Sequence, residues 1–265
     1  MRDQRDGAEG GLAEAAFSLI ELMVVIGIMI VLGGLLVPVV EVLRERGKAT
    51  ECSNNLRQWG QGFSMYMDEH RGIFPGDGTL DGSGEEADIG VVDAWFNVVP
   101  PYIGLESYIA LKQKGKVPCA GIGKSTFICP KSPTTQNKLA NYVSGTQTDF
   151  YCSYAMNHWI FNPERENPAF TKRMRMSQVR KPSVFVVLSE SPNGTVAKVH
   201  ASTMGDEALD ETGYRHRSCA NALFADWHVE PLLKKKVLVP GMAVQDNGGE
   251  VQWNPERDES NALLE

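Results

Sequence analysis

No charged residue interrupts the chain from Leu22 to Val40, and beyond that run the uniformly apolar pattern gives way to a stripe. At ~20 residues and about 1.5 Å of rise each, the uncharged run is long enough to cross a bilayer. Past Pro38, the residues Ala49, Cys52, Leu56, Trp59, Phe63 and Tyr66 recur at alternating spacings of three and four. That is the stripe of a helix buried along one face. Asn54, Asn55, Arg57, Gln58 and Gln61 fill the other side. Together the two patterns predict one long helix, half greasy and half amphipathic, with Gly72 as its stop. Gly47, Gly60 and Gly62 weaken it by roughly 1 kcal/mol each relative to alanine. Pro38 removes one backbone hydrogen bond, so the rod is free to bend or unwind locally where it leaves the lipid.

Downstream the period shortens to that of strands. Val184-Phe185-Val186-Val187-Leu188 reads as a buried strand, Ser191-Pro192-Asn193-Gly194 as a turn, and Thr195 to His200 as the returning strand. Asn221 to Ala225 and His228 to Glu230 predict a second hairpin. Its turn holds Trp227, which accepts φ > 0 poorly, so a turn longer than two residues or of another type is expected. Residues 71–150 are rich in Gly, Pro, Ser and Thr, with short pieces at Val91–Val99 and Tyr102–Leu111. The expected fold is α+β: a long N-terminal helix whose stripe packs on an antiparallel sheet.

Composition sharpens this picture. The chain has 265 residues, 42% hydrophobic and 22% charged, as a folded protein does. Its net charge of -7 disfavours nucleic acid as the main partner, because phosphate binding needs a basic surface. Acid collects in residues 241–265, which predicts a solvated tail. Five cysteines leave at least one free or paired between chains. Cys119 and Cys129 bracket a Gly-rich loop and are the favoured pair. No C-x-x-C or zinc-like His/Cys spacing occurs, so a structural zinc is not expected.

One acid stands at the head of the greasy run, in Ala16-Phe17-Ser18-Leu19-Ile20-Glu21. A charge at membrane depth costs roughly 2.5–3.5 kcal/mol on insertion scales, so it marks function and calls for a partner. The run exceeds the apolar core of a cleaved secretory signal, and no A-x-A-like site follows it. A retained membrane helix with one buried acid is therefore expected. The alternative is an uncleaved anchor whose acid snorkels to the headgroups.

These residues resemble the cleavage and methylation segment of type IV prepilins and type II secretion pseudopilins. That family is cut before an aromatic residue, and the fifth residue after the cut is glutamate. Here the cut falls between Ala16 and Phe17, Glu21 is fifth, and Pro38 is twenty-second, where many pilins also carry proline. Ala16 stands where the family most often has glycine, and the leader is acidic rather than basic. The resemblance implies a prepilin peptidase that removes residues 1–16 and methylates the Phe17 amine. It also implies that Glu21 pairs with the amine of a neighbouring copy or another pilin-like subunit. The implied layout is a transmembrane helix at 17–40, an amphipathic stalk at 41–70, a head at 71–240 and a tail at 241–265. The protein would sit in a bacterial inner membrane with its head on the periplasmic side before joining a filament.

Four further stretches resemble a bacterial group of prepilin-type proteins with an H-x9-D-G signature. They are Cys52-Ser53-Asn54-Asn55-Leu56-Arg57-Gln58, Phe127-Ile128-Cys129-Pro130, Ser153-Tyr154-Ala155-Met156-Asn157, and His216 through Glu230. In the last, Asp226 follows His216 after nine residues, and Trp227 replaces the glycine. Cys129, His216 and Asp226 are thereby the head-motif residues, in a structural role.

Catalysis is not expected. His216, Asp226 and His228, with Glu190 at a strand end, could form an acid–base or metal cluster if they converged. A histidine and an aspartate flanking a hairpin more often hold the turn. No phosphate loop, G-x-S-x-G elbow or H-E-x-x-H motif is present. No cofactor is expected. Asp77, Asp81, Glu85, Glu86 and Asp88 offer oxygen ligands of the kind calcium prefers, without EF-hand spacing, and the metal stays unassigned. Trp59 belongs to the core stripe, whereas Trp227, at a turn, is the best candidate for an exposed binding aromatic. The function expected is that of a filament subunit. The runner-up is a single-pass, periplasm-facing binding protein that keeps its leader and never polymerises.

Overall fold

A computed structural model of the chain describes residues 18–78, 89–116, 125–132, 152–157, 160, 173–191, 198–199, 214–233 and 251. Helix α1 runs from Leu19 to Glu69 and carries Pro38 inside it without a break. The chain divides into two compact units after Glu45.

In the first unit every large apolar side chain of α1 from Leu19 to Leu43 is exposed. This segment is long and apolar enough to span a membrane. Its mean hydropathy reaches 2.8 over the most apolar stretch. Ser18 precedes the first helical residue, and its backbone N–H donates to Glu21 Oε2 at 2.9 Å. Glu21 thus closes half of a capping box and lies where the helix dipole favours an anion.

In the second unit α1 buries Cys52, Asn55, Leu56, Trp59, Gly60, Gly62, Phe63, Tyr66 and Met67. The expected stripe is there, with Ala49 only half-buried at its edge. Asn55, expected on the solvent side, is buried instead. Its Nδ2 donates to the Ile128 carbonyl at 3.2 Å and to Tyr154 Oη at 3.3 Å. The helix ends as the glycine signal implies: Arg71 and Gly72 take φ 58 and 72, and the Gly72 N–H reaches the Met67 carbonyl at 2.8 Å. Helices α2 (Trp95–Val98) and α3 (Tyr108–Gln113) and a 3-10 turn at Pro100–Ile103 follow. Trp95 meets Trp59 edge-on at 5.0 Å between centroids, and Phe127 meets the same indole at 5.1 Å.

The sheet comprises β1 (Tyr154–Asn157), β2 (Val186–Glu190), β3 (Lys198–Val199), β4 (Cys219–Phe224) and β5 (Val229–Leu233). Its order is β3-β1-β2-β4-β5, antiparallel except for the β1–β3 pair. The hairpin expected at 184–200 therefore does not form. Lys198 and Val199 pair with Met156 and Asn157, placing β1 between β2 and β3. The hydrophobic pattern located both strands, but pairing partners come from the whole sheet and not from adjacency.

The β4–β5 hairpin forms as expected, with the longer turn. Leu223 pairs with Val229, and Trp227 N–H donates to the Phe224 carbonyl at 2.9 Å. Trp227 nonetheless takes φ 70, the position where such three-residue loops favour glycine. Its ring stacks on Phe63 at 6.3 Å and 17°, so it packs on the core and is not an exposed binding aromatic. Gly60 admits the hairpin: a Cβ there would lie 2.9 Å from Leu223 Cδ1 and 3.6 Å from Trp227 Cβ.

Candidate functional site

Strand alternation decides which side chains of the sheet meet α1. Tyr154 pairs with Glu190 and Met156 with Leu188, so these four share one face. Tyr154, Met156 and Leu188 join the core cluster that includes Cys52, Leu56, Trp59 and Phe63. Ala155, Val186, Ala220, Ala222 and Phe224 form a second cluster. Glu190 is consequently a carboxylate inside the core, with no exposed surface.

It is not alone there. Cys52 from α1, Cys129 from the loop after Phe127, and His216 ahead of β4 bring their donor atoms to it. All four donor atoms lie within 4.8 Å of one another. His216 Nε2 stands 3.0 Å from Glu190 Oε1 and 3.2 Å from Cys129 Sγ. The Cys52 thiol donates to Glu190 Oε1 and lies 3.1 Å from Tyr154 Oη. Asn221 steadies the carboxylate from the neighbouring strand, its backbone N–H donating to Oε2 at 3.2 Å and its Nδ2 to Oε1 at 3.0 Å. Arg215 is buried beside them, with Nη2 donating to the Ser191 carbonyl at 2.6 Å and the Ser153 carbonyl at 3.3 Å.

A tight turn delivers His216. Its N–H donates to the Cys219 carbonyl, and the Cys219 N–H donates back to it, both at 3.1 Å. The two residues between, Arg217 and Ser218, take φ 54 and 63. Two-residue hairpin loops of this type favour Asn or Gly, since other residues in the left-handed region cost of order 1–3 kcal/mol each. Strain of this kind gathers where surrounding structure over-determines a residue's position.

The electrostatics follow from burial opposed by neighbours. Burial and then the nearby Cys129 and Glu190 push the Cys52 thiol well up. The hydrogen bond to Cys52 pulls Cys129 down to about 6 against its burial, and His216 assists. Burial disfavours the His216 cation, but Cys129 and Glu190 outweigh it and raise that imidazole to about 9. Glu190 is held below the usual carboxylate range despite complete burial, by His216 and Arg215. Burial drives Tyr154 upward, with the surrounding anions adding to it. Arg215, although desolvated, is raised by Glu190, Cys129 and Cys52. Glu190 and Cys129 are thus drawn toward their anions and His216 and Arg215 toward their cations, all of them buried. Cys152 stands apart: burial lifts it to about 12, and its thiol donates to the Phe127 carbonyl at 3.3 Å.

Of the residues singled out from sequence, the structure unites Cys129, His216 and Glu190. Asp226 is elsewhere. It sits exposed on the β4–β5 turn, where its Oδ1 lies 2.5 Å from His228 Nδ1 and accepts the His228 N–H at 3.2 Å. The imagined set of His216, Asp226, His228 and Glu190 is thus split into a buried pair and a surface pair. Cys129 is a free thiol facing Cys52 and His216, and Cys119 lies outside the described residues. Ala16 and Phe17 lie outside them too, as do Asp81, Glu85, Glu86 and Asp88 of the acidic loop. Glu190 meets His216 as the sequence allowed, whereas Cys52 was not foreseen as a member of the cluster. The signals for Cys52 were its place on the buried stripe and in the stretch Cys52 to Gln58.

Compared with known proteins, the chain matches no family model, no curated protein and no solved structure.

Proposed function

We propose that this protein is a structural subunit of a type IV pilus-like or type II secretion pseudopilus filament. It is trimmed between Ala16 and Phe17 and assembled through the apolar half of α1. The observation that carries the reading is the continuous exposure of that half, from Leu19 to Leu43, behind an acid at Glu21. Such a surface needs lipid first and a packed partner afterwards. Copies of the same helix supply the second environment, and a carboxylate at the helix start meets a freed amine better than it meets hydrocarbon. The head contributes no substrate chemistry to this role and acts as a rigid body on the filament's surface.

The helix cap at Glu21 favours a second reading. An acid satisfied by its own Ser18 N–H needs no neighbour, as suits a single-pass anchored binding protein that never polymerises. Mass spectrometry of the mature chain from its native membrane separates the two. A chain beginning at N-methylated Phe17 is expected; an intact leader on a monomeric protein overturns the filament.

A further inference from the structure

The core of the head holds four metal-ligating side chains that the filament role does not use. We propose that Cys52, Cys129, Glu190 and His216 form a tetrahedral site for a transition-metal dication, zinc foremost, which ties α1 to the sheet of the head.

Geometry is the first support. Zinc bonds of about 2.3 Å to sulfur and about 2.0–2.2 Å to nitrogen and oxygen place tetrahedral donors roughly 3.3–3.8 Å apart. His216 Nε2 already lies 3.2 Å from Cys129 Sγ and 3.0 Å from Glu190 Oε1, with all four donor atoms inside 4.8 Å. A metal would take the place of the proton that Cys52 now donates to Glu190 Oε1 and part those two donors.

The donor set is the second. Two thiolates, an imidazole and a carboxylate suit a borderline-soft dication, whereas calcium and magnesium take oxygen ligands.

Charge is the third. Two thiolates and a carboxylate leave one negative charge in excess over the metal, and the buried Arg215 guanidinium neutralises it. Without a metal, two cysteines, a carboxylate and an imidazole crowd a buried core that apolar side chains would fill at lower cost.

Support around the ligands is the fourth. Two hydrogen bonds from Asn221 fix Glu190, Tyr154 Oη backs Cys52, and Asn55 in turn donates to that hydroxyl. His216 is delivered by the strained pair Arg217-Ser218. The ligands come from a helix, a loop, a strand end and a tight turn, so one ion would join four parts of the head.

Metal analysis of the full chain, purified in detergent without chelator, is the test. About one zinc per chain is expected, as for a single structural site. C52S and C129S chains should each lose at least about tenfold of it, while the surface variants Asp226→Asn and His228→Ala keep it. Since the cysteine variants risk misfolding, the wild-type chain supplies an independent readout. Cobalt(II) added to stripped, reduced protein should give thiolate-to-metal charge-transfer absorption at one equivalent, and zinc should abolish it. Alkylation and intact-mass analysis of the chain as isolated covers the competing outcomes. A Cys52–Cys129 disulfide overturns the site, and so do two alkylatable thiols in a chain that neither carries nor takes up metal.

Discussion

One helix lives in two environments. From Leu19 to Leu43 it shows its apolar side chains on every side, whereas from Cys52 to Met67 it buries one face in its own core. Glycines mark the contrast sharply. A Cβ on Gly27, Gly33 or Gly34 would meet nothing within 4 Å, but one on Gly62 would lie 2.7 Å from Val99 Cγ1. The first half leaves its apolar surface uncovered by the chain, and the second is covered by the chain itself. Its two acids differ in the same way. Glu21 accepts the Ser18 N–H at an exposed helix start, while Glu190 is held by Asn221 inside the head.

Breaking the buried half should cost most. Trp59→Ala removes the indole that meets Trp95 and Phe127 and donates to the Thr126 carbonyl. A loss of about 3–5 kcal/mol is expected in denaturant unfolding of the full chain. In the exposed half, Leu32→Ala should leave the same transition in place.

Glu190→Gln comes next. It keeps the volume but strips the carboxylate from His216 and Arg215, and truncating one partner of a buried charge set costs about 3–5 kcal/mol at the upper end. Unfolding midpoints should fall accordingly, whereas Glu21→Gln leaves them unmoved.

Alanine at glycine sharpens the comparison through a change of sign. Gly62→Ala should destabilise the head by about 1–3 kcal/mol, since overpacking against Val99 exceeds the gain in helix propensity. Gly33→Ala should raise helix stability by up to about 1 kcal/mol, seen as slower amide exchange in micelles. Equal effects at both positions would remove the distinction between the halves.

The smallest effect belongs to the cap. Glu21→Ala should fray the first turn of α1 by about 0.5–1 kcal/mol, with faster exchange at Leu22 and Met23. On the filament reading it also stops assembly while the head stays folded, and normal filaments would make the acid dispensable.

Much of the helix could be read from spacing, because helical periodicity is local. The uncharged run, the stripe through Cys52, Leu56, Trp59, Phe63 and Tyr66, and the glycine stop each depend on residues a turn or two apart. Asn55 was misplaced because a buried amide looks polar until its acceptors, the Ile128 carbonyl and Tyr154 Oη, are known. Four strands of the sheet were legible as segments, but β1 at Tyr154–Asn157 was not, and the order was illegible. The strand at Lys198 pairs with β1, which the turn signal at Ser191-Pro192-Asn193-Gly194 could not reveal. Trp227 at φ 70 was likewise beyond local rules, since Phe63, far away in sequence, holds it there.

The local pattern fixed the long helix, its greasy and amphipathic halves, its acid and every strand segment but β1, because each is written in neighbours along the chain. The cluster of Cys52, Cys129, Glu190 and His216 belongs to tertiary structure alone. Its members share no spacing, and only the packing of a helix, a loop, a strand end and a turn brings their donor atoms within 4.8 Å of one another.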